Sequence, residues 1–163
     1  RHWRIFTVFP VGRAAHVPEL QLTDEQFVRL MRFLRDTRRE GLIDVSYGCE
    51  GFLSGYEMDV RDHFYECSAG VSTASVLADG SISGCPSIRA DYYQGNIYRD
   101  SFMDVWEHRF RPYRDRQWAR RGACADCKLF RYCEGNGMHL HDGDGNLLVC
   151  HHRRIMQGLE AEN

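Results

Sequence analysis

The chain has 163 residues, 43% of them apolar and 12% aromatic, which is enough for one ordinary domain with a real core. A net charge of −2 argues against nucleic acid or an anionic membrane as the main partner, and there is no run of about 18 apolar residues to span a bilayer. Seven cysteines, an odd number, and an N-terminus without a signal-peptide pattern argue against a disulfide scaffold and predict metal binding in the cytoplasm.

In chain order, Arg4 to Val11 reads as a buried strand, rich in β-branched and aromatic residues and stopped by Pro10-Val11-Gly12. A helix follows: Thr23 and Gln26 form a capping box, Phe27, Leu30, Met31 and Leu34 repeat at helical spacing, and Gly41 ends it. Leu42 to Tyr47 reads as a second strand, completing the βαβ unit of a parallel sheet. No further βαβ unit follows, and a sheet this small leaves its edges uncovered. Residues 1–45 are therefore expected to be the last part of a larger α/β domain, with residues 46–163 forming a second one. The whole reads as α+β.

From Cys49 onward, short strands, turns and loops prevail. Glu50, Tyr56, Glu57 and Arg61 read either as the lining of a substrate cleft or as ordinary surface. Val71 to Leu77 and Ser81 to Ser83 flank Asp79-Gly80, a hairpin signal. Ser101 or Asp100 caps an expected helix from Phe102 to about Tyr113, with Phe102, Val105, Trp106 and Phe110 along one face. Lys128 is the single lysine beside twenty arginines, and Arg109 to Arg121 holds six of these, interleaved with Phe110, Tyr113 and Trp118. Such interleaving can stack bases; the reading preferred here is an aromatic face packed inward and an arginine face in solvent.

The cysteines carry the chemistry. Cys124, Cys127 and Cys133 are spaced Cys-x2-Cys-x5-Cys, and Cys150 follows after sixteen residues, which is spacing for one metal centre. Cys67 and Cys85 flank the Asp79-Gly80 turn and predict a second centre. Four thiolates suit zinc or an iron-sulfur cluster equally, because both take soft sulfur ligands tetrahedrally. Spacing alone does not choose between them.

The order Cys67-x12-Gly80-x4-Cys85, then Cys124-x2-Cys127-x5-Cys133, then Cys150, resembles the SPASM domain that follows the partial TIM barrel of radical S-adenosylmethionine enzymes. Gly95-Asn96-Ile97 before the helix, Asp79-Gly80 in the hairpin and Pro10-x-Gly12-Arg13 at the end of the first strand are similar to that family too. The run Tyr47-Gly48-Cys49-Glu50-Gly51-Phe52 resembles a branch of bacterial peptide maturases.

The resemblance implies a barrel that cleaves S-adenosylmethionine at a Cys-x3-Cys-x2-Cys cluster, and a SPASM domain holding two auxiliary 4Fe-4S clusters. The barrel motif is absent from these residues. The chain is accordingly expected to be a fragment of an oxidoreductase, the barrel's end plus the auxiliary-cluster domain, and not to be catalytic alone. Its implied partners are a substrate peptide or protein, the missing barrel and an external electron donor.

Carried over residue by residue, the resemblance gives the distal cluster Cys124, Cys127, Cys133 and Cys150 and the proximal one only Cys67 and Cys85. Where the family usually has another cysteine, four residues after Cys133, this chain has Gly137. Two four-iron clusters call for about eight protein ligands against seven cysteines. Cys49 is a candidate third proximal ligand, with a small buried hydrophobe as the alternative. His139 and His141 are candidate non-cysteine ligands, since His-x-His on a strand puts both rings on one face. An open iron that binds substrate, or a proximal site that is lost, are the other solutions.

His151 and His152, directly after Cys150, are candidates to hydrogen-bond a cluster sulfur or to lie in solvent. Asp142-Gly143-Asp144-Gly145-Asn146 is similar to the start of a calcium loop, but its glycine falls at the wrong step, so a polar turn is expected. The competing class is a zinc-stapled interaction module without catalysis, its zinc held by Cys124, Cys127, Cys133 and Cys150.

Overall fold

A computed structural model describes residues 1–48, 51–88 and 92–162. The chain divides into two compact units, Arg1–Glu66 with Val149–Asn163, and Cys67–Leu148. Helices and strands are mixed, as expected for α+β.

In the first unit, β1 (His2–Ile5) pairs in parallel with β2 (Asp44–Tyr47), from His2 opposite Asp44 to Ile5 opposite Tyr47. The crossover is α1 (Asp24–Glu40), so the βαβ unit forms. Its start is the expected capping box: Gln26 N donates to Thr23 Oγ1 at 3.2 Å, and Thr23 N donates to Gln26 Oε1 at 2.8 Å. Gly41 ends the helix at φ 70°, a left-handed position that glycine takes at little cost.

Both strands are shorter than expected, and β1 starts two residues before the expected Arg4 and is largely exposed rather than buried. The ladder closes at Gly48 N to Ile5 O, where β1 ends, and beyond it Val11 N turns back onto Phe9 O. Leu42, 86% exposed, stands before β2. β-branched and aromatic composition marks the stretch that suits a strand, but the partner's length decides where pairing stops.

The core beneath this ladder comprises Phe27, Met31, Leu34, Val45, Tyr47, Leu53, Val60 and Ile155. Ile155 comes from α6 (His151–Glu160), which lies close on α1: a methyl at Gly158 would stand 2.5 Å from Asp24 O. Arg154 fastens the pair, donating to Asp24 Oδ1 at 3.0 Å and to Leu22 O at 2.6 Å, with its guanidinium over Phe27.

Glu57, at the start of α2 (Glu57–Val60), and Arg61, just after it, are neither cleft lining nor surface. Both are buried, Arg61 to 2% exposure. The Glu57 carboxylate accepts from Leu53 N at 2.5 Å and Tyr65 N at 2.8 Å, and Arg61 donates to Gly51 O at 2.9 Å between the Tyr47 and Tyr65 rings. Opposite charges 3.8 Å apart, each with backbone partners, make this burial tolerable. Tyr56 is half-buried beside them, and Glu50 lies outside the described residues.

The second unit is built on a three-stranded antiparallel sheet, β3 (Ser75–Val76), β4 (Ser81–Ser83) and β5 (Gly95–Asn96), in the order β3-β4-β5. The Asp79-Gly80 hairpin is as expected, with Gly80 at φ 82°. The first strand begins only at Ser75 because Ser68 O accepts from Val71, Ser72 and Thr73 in a tight turn. β5 had no strand signal of its own. Asp100 holds it, accepting from Asn96 N at 2.9 Å and pairing with Arg109 at 2.9 Å.

The expected helix to Tyr113 is two helices, α3 (Phe102–His108) and α4 (Arg111–Arg114). Pro112 explains the break, since in one continuous helix its ring would meet the carbonyl of His108. The core here is Ala69, Ile82, Ile88, Tyr92, Val105, Phe110, Tyr113 and Met138. A much smaller cluster, Ala119, Cys124 and Phe130, serves the residues that follow.

Candidate metal centre

Cys67 and Cys85 are half-buried against the larger core of the second unit, at the two ends of the segment that makes the hairpin. Tyr113 fills the space beside them. Its ring lies where a methyl on Gly70 or on Gly84 would be 2.4 Å from it, so only glycine fits at either position. Its hydroxyl donates to Tyr92 O at 2.7 Å and accepts from Gly84 N at 3.2 Å. Burial raises the phenol's pKa above its ordinary value, bonds from Ser83 and Gly84 oppose this, and the Cys85 and Cys67 sulfurs add to the rise.

Cys124, Cys127 and Cys133 stand on consecutive tight turns. Cys124 N donates to Arg121 O at 2.9 Å, Cys127 N to Cys124 O at 3.3 Å and Phe130 N to Cys127 O at 3.1 Å, leading into α5 (Phe130–Cys133). Cys124 is buried, and Cys127 and Cys133 are half-buried. After Cys133 the backbone passes through Glu134, Gly135 and Asn136, all at positive φ, and Asn136 N donates to Cys133 O at 2.7 Å.

Arg109, Arg111, Arg114, Arg120 and Arg121 are exposed, as the expected solvated arginine face requires, and Arg116 is the exception. Arg116 is buried at 5% exposure, lies over Trp118 and donates through Nη2 to Asn136 O at 2.8 Å. Its Nε is buried without a hydrogen-bond acceptor, and among the described residues it makes no ion pair. Nothing in the local sequence separates Arg116 from its exposed neighbour Arg120.

His139 and His141 are not on a strand. Leu140 N returns to Gly137 O and His141 N to Met138 O, which makes a single tight turn. Burial depresses the pKa of both rings to about 4, with Arg116 adding to the effect on His141. His141 Nδ1 donates to Gly137 O at 3.2 Å, and its buried Nε2 has no hydrogen-bond partner among the described residues. Asp142 to Asn146 form the expected polar turn, Asp142 Oδ1 accepting from Asn146 N at 2.8 Å.

Cys150 belongs to the first unit, as the N-cap residue of α6. The histidines after it are not in open solvent. His151 is buried against Phe27, ring centroids 5.2 Å apart, and His152 Nδ1 is 3.2 Å from Ser54 Oγ. Cys49 lies outside the described residues. A cavity of about 430 Å³ in the first unit is lined by Arg35, Arg38 and Arg39, each already paired with an aspartate.

None of the six described cysteines is in a disulfide, and no three described His, Cys, Asp or Glu side chains converge on a single metal ion. In its chemistry the donor set fits an iron-sulfur cluster, which takes soft cysteine thiolates as ligands. An anionic, sulfur-ligated group also suits a segment that buries a guanidinium without a carboxylate.

Fold and site define a mixed α and β protein whose second unit is organised around cysteine-bearing turns. Residues 67–128 match the SPASM family, an iron-sulfur cluster-binding domain. The match contains Cys67, Cys85, Cys124 and Cys127. Comparison with curated proteins and with solved structures gave no match. Among the described residues no helix is long and apolar enough to cross a membrane.

Proposed function

We propose that the chain is the auxiliary-cluster part of a radical S-adenosylmethionine enzyme that modifies a peptide or protein. The observation that carries this reading is the SPASM match over the stretch holding four of the seven cysteines. The parallel βαβ unit supports it, as the kind of element that ends a partial barrel.

In this reading Cys124, Cys127 and Cys133 hold the distal 4Fe-4S cluster, with Cys150 as fourth ligand on the cysteine order alone. Cys67 and Cys85 belong to a proximal site, for which Cys49, His139 and His141 are the candidate further ligands. A bound cluster supplies one-electron transfer. The chain's own contribution is to hold deprotonated thiolates on short turns and to keep water from their buried sides. The substrate, the barrel and the electron donor come from outside these residues.

The test is iron, acid-labile sulfide and zinc per chain on protein purified and reconstituted without oxygen. About eight irons with matching sulfide means two clusters, and about four means that the proximal site is lost. One zinc and no iron contradicts the proposal and leaves the zinc-stapled interaction module.

A further inference from the structure

We propose that Arg116 is the counter-cation of the cluster held by Cys124, Cys127 and Cys133, and that it sets the reduction potential of that cluster. The proposal rests on the iron-sulfur reading above.

Among the described residues two arginines are buried, and Arg116 is the one without an ion pair. Arg61, equally buried, has Glu57 at 3.8 Å. Arg116 has no carboxylate among the described residues, and its Nε finds no acceptor. A buried cation is costly unless something anionic compensates it. Its hydrogen bonds lead to a ligand segment: Nη2 holds Asn136 O at 2.8 Å, and Asn136 N holds Cys133 O at 2.7 Å. The guanidinium is thus two hydrogen bonds from the backbone of Cys133.

Cysteines that ligate metal give up their protons, so a cluster with its thiolates carries net negative charge. This supplies the anion that the fold withholds from Arg116. Reduction adds one more electron, and a fixed positive charge in a poorly screened site favours the reduced form. Arg116 therefore raises the potential. A structural role through Asn136 alone would depend on the shape of the fork, whereas this role depends on the charge.

The experiment is a reductive titration with dithionite, followed by electron paramagnetic resonance, on the full chain reconstituted with iron and sulfide. Arg116→Gln is expected to keep its iron and titrate at a more negative potential. Arg116→Lys, which keeps the charge and loses the planar fork, is expected to titrate with the parent protein. An Arg116→Gln protein with full iron and an unmoved potential overturns the proposal. So does an Arg116→Lys protein that departs from the parent as far as Arg116→Gln, or that loses its iron. A parent chain that takes up no iron instead overturns the proposed function itself.

Discussion

Residues 24–60 and residues 116–148 are held together by different means. The first stretch is a capped helix and a strand over a cluster of fully buried apolar side chains, from Phe27 and Met31 to Leu53 and Val60. The second runs through turns of three or four residues; among the described residues its own cluster is Ala119, Cys124 and Phe130, one of them a candidate ligand, while Met138 packs into the core of the second unit. Burial can hold the first. The second has less apolar burial of its own to set against its ordering entropy, and on the proposed function cross-linking of its thiolates by metal makes up the difference.

The largest expected effect breaks this contrast at its metal end. Cys124→Ala should cost the 116–148 stretch most of the metal's contribution, about 10 kcal/mol in small metal-stapled units. Iron content should fall while α1 stays folded, as read by iron analysis and circular dichroism. A Cys124→Ala protein that is folded throughout with full iron would remove the contrast.

Glu57→Ala acts on the other side. It leaves Arg61 buried without its acid and frees two backbone N–H groups, so a loss of about 3–5 kcal/mol is expected in urea unfolding of the first unit. The iron bound per chain should not change. Tyr113→Phe removes a hydroxyl that makes two backbone hydrogen bonds beside Cys67 and Cys85, and is expected to cost about 1–3 kcal/mol in urea unfolding of the second unit. Thr23→Ala removes the capping box and should cost about 1 kcal/mol, again without change in iron.

What was legible in the sequence was local. The Thr23–Gln26 cap, the Gly41 stop and the Asp79-Gly80 turn each depend on residues within a few positions of one another, and each stands where it was expected. What was not legible depends on partners distant in sequence. The Arg4 to Val11 strand stops at Ile5 because its neighbour stops at Tyr47. Pro112 was in view, yet the continuous apolar face from Phe102 to Phe110 masked the break it makes. Glu57 and Arg61 read as cleft lining or as surface because charge ordinarily faces water, and their mutual neutralisation appears only once the fold brings the backbone donors of Leu53 and Tyr65 around them. Within the site, the cysteine order was readable as a family pattern. The hydroxyl between two glycines at Tyr113 and the lone guanidinium of Arg116 were not, since neither has a signal in its own neighbourhood.

The account turns on residues 116–148 depending on metal while α1 does not, and amide hydrogen exchange on the iron-stripped and the anaerobically reconstituted chain tests this most directly. The account predicts that stripping iron removes protection from the turns around Cys124, Cys127 and Cys133 and leaves that of Phe27 to Leu34 unchanged. Equal protection of both regions with and without iron would contradict it.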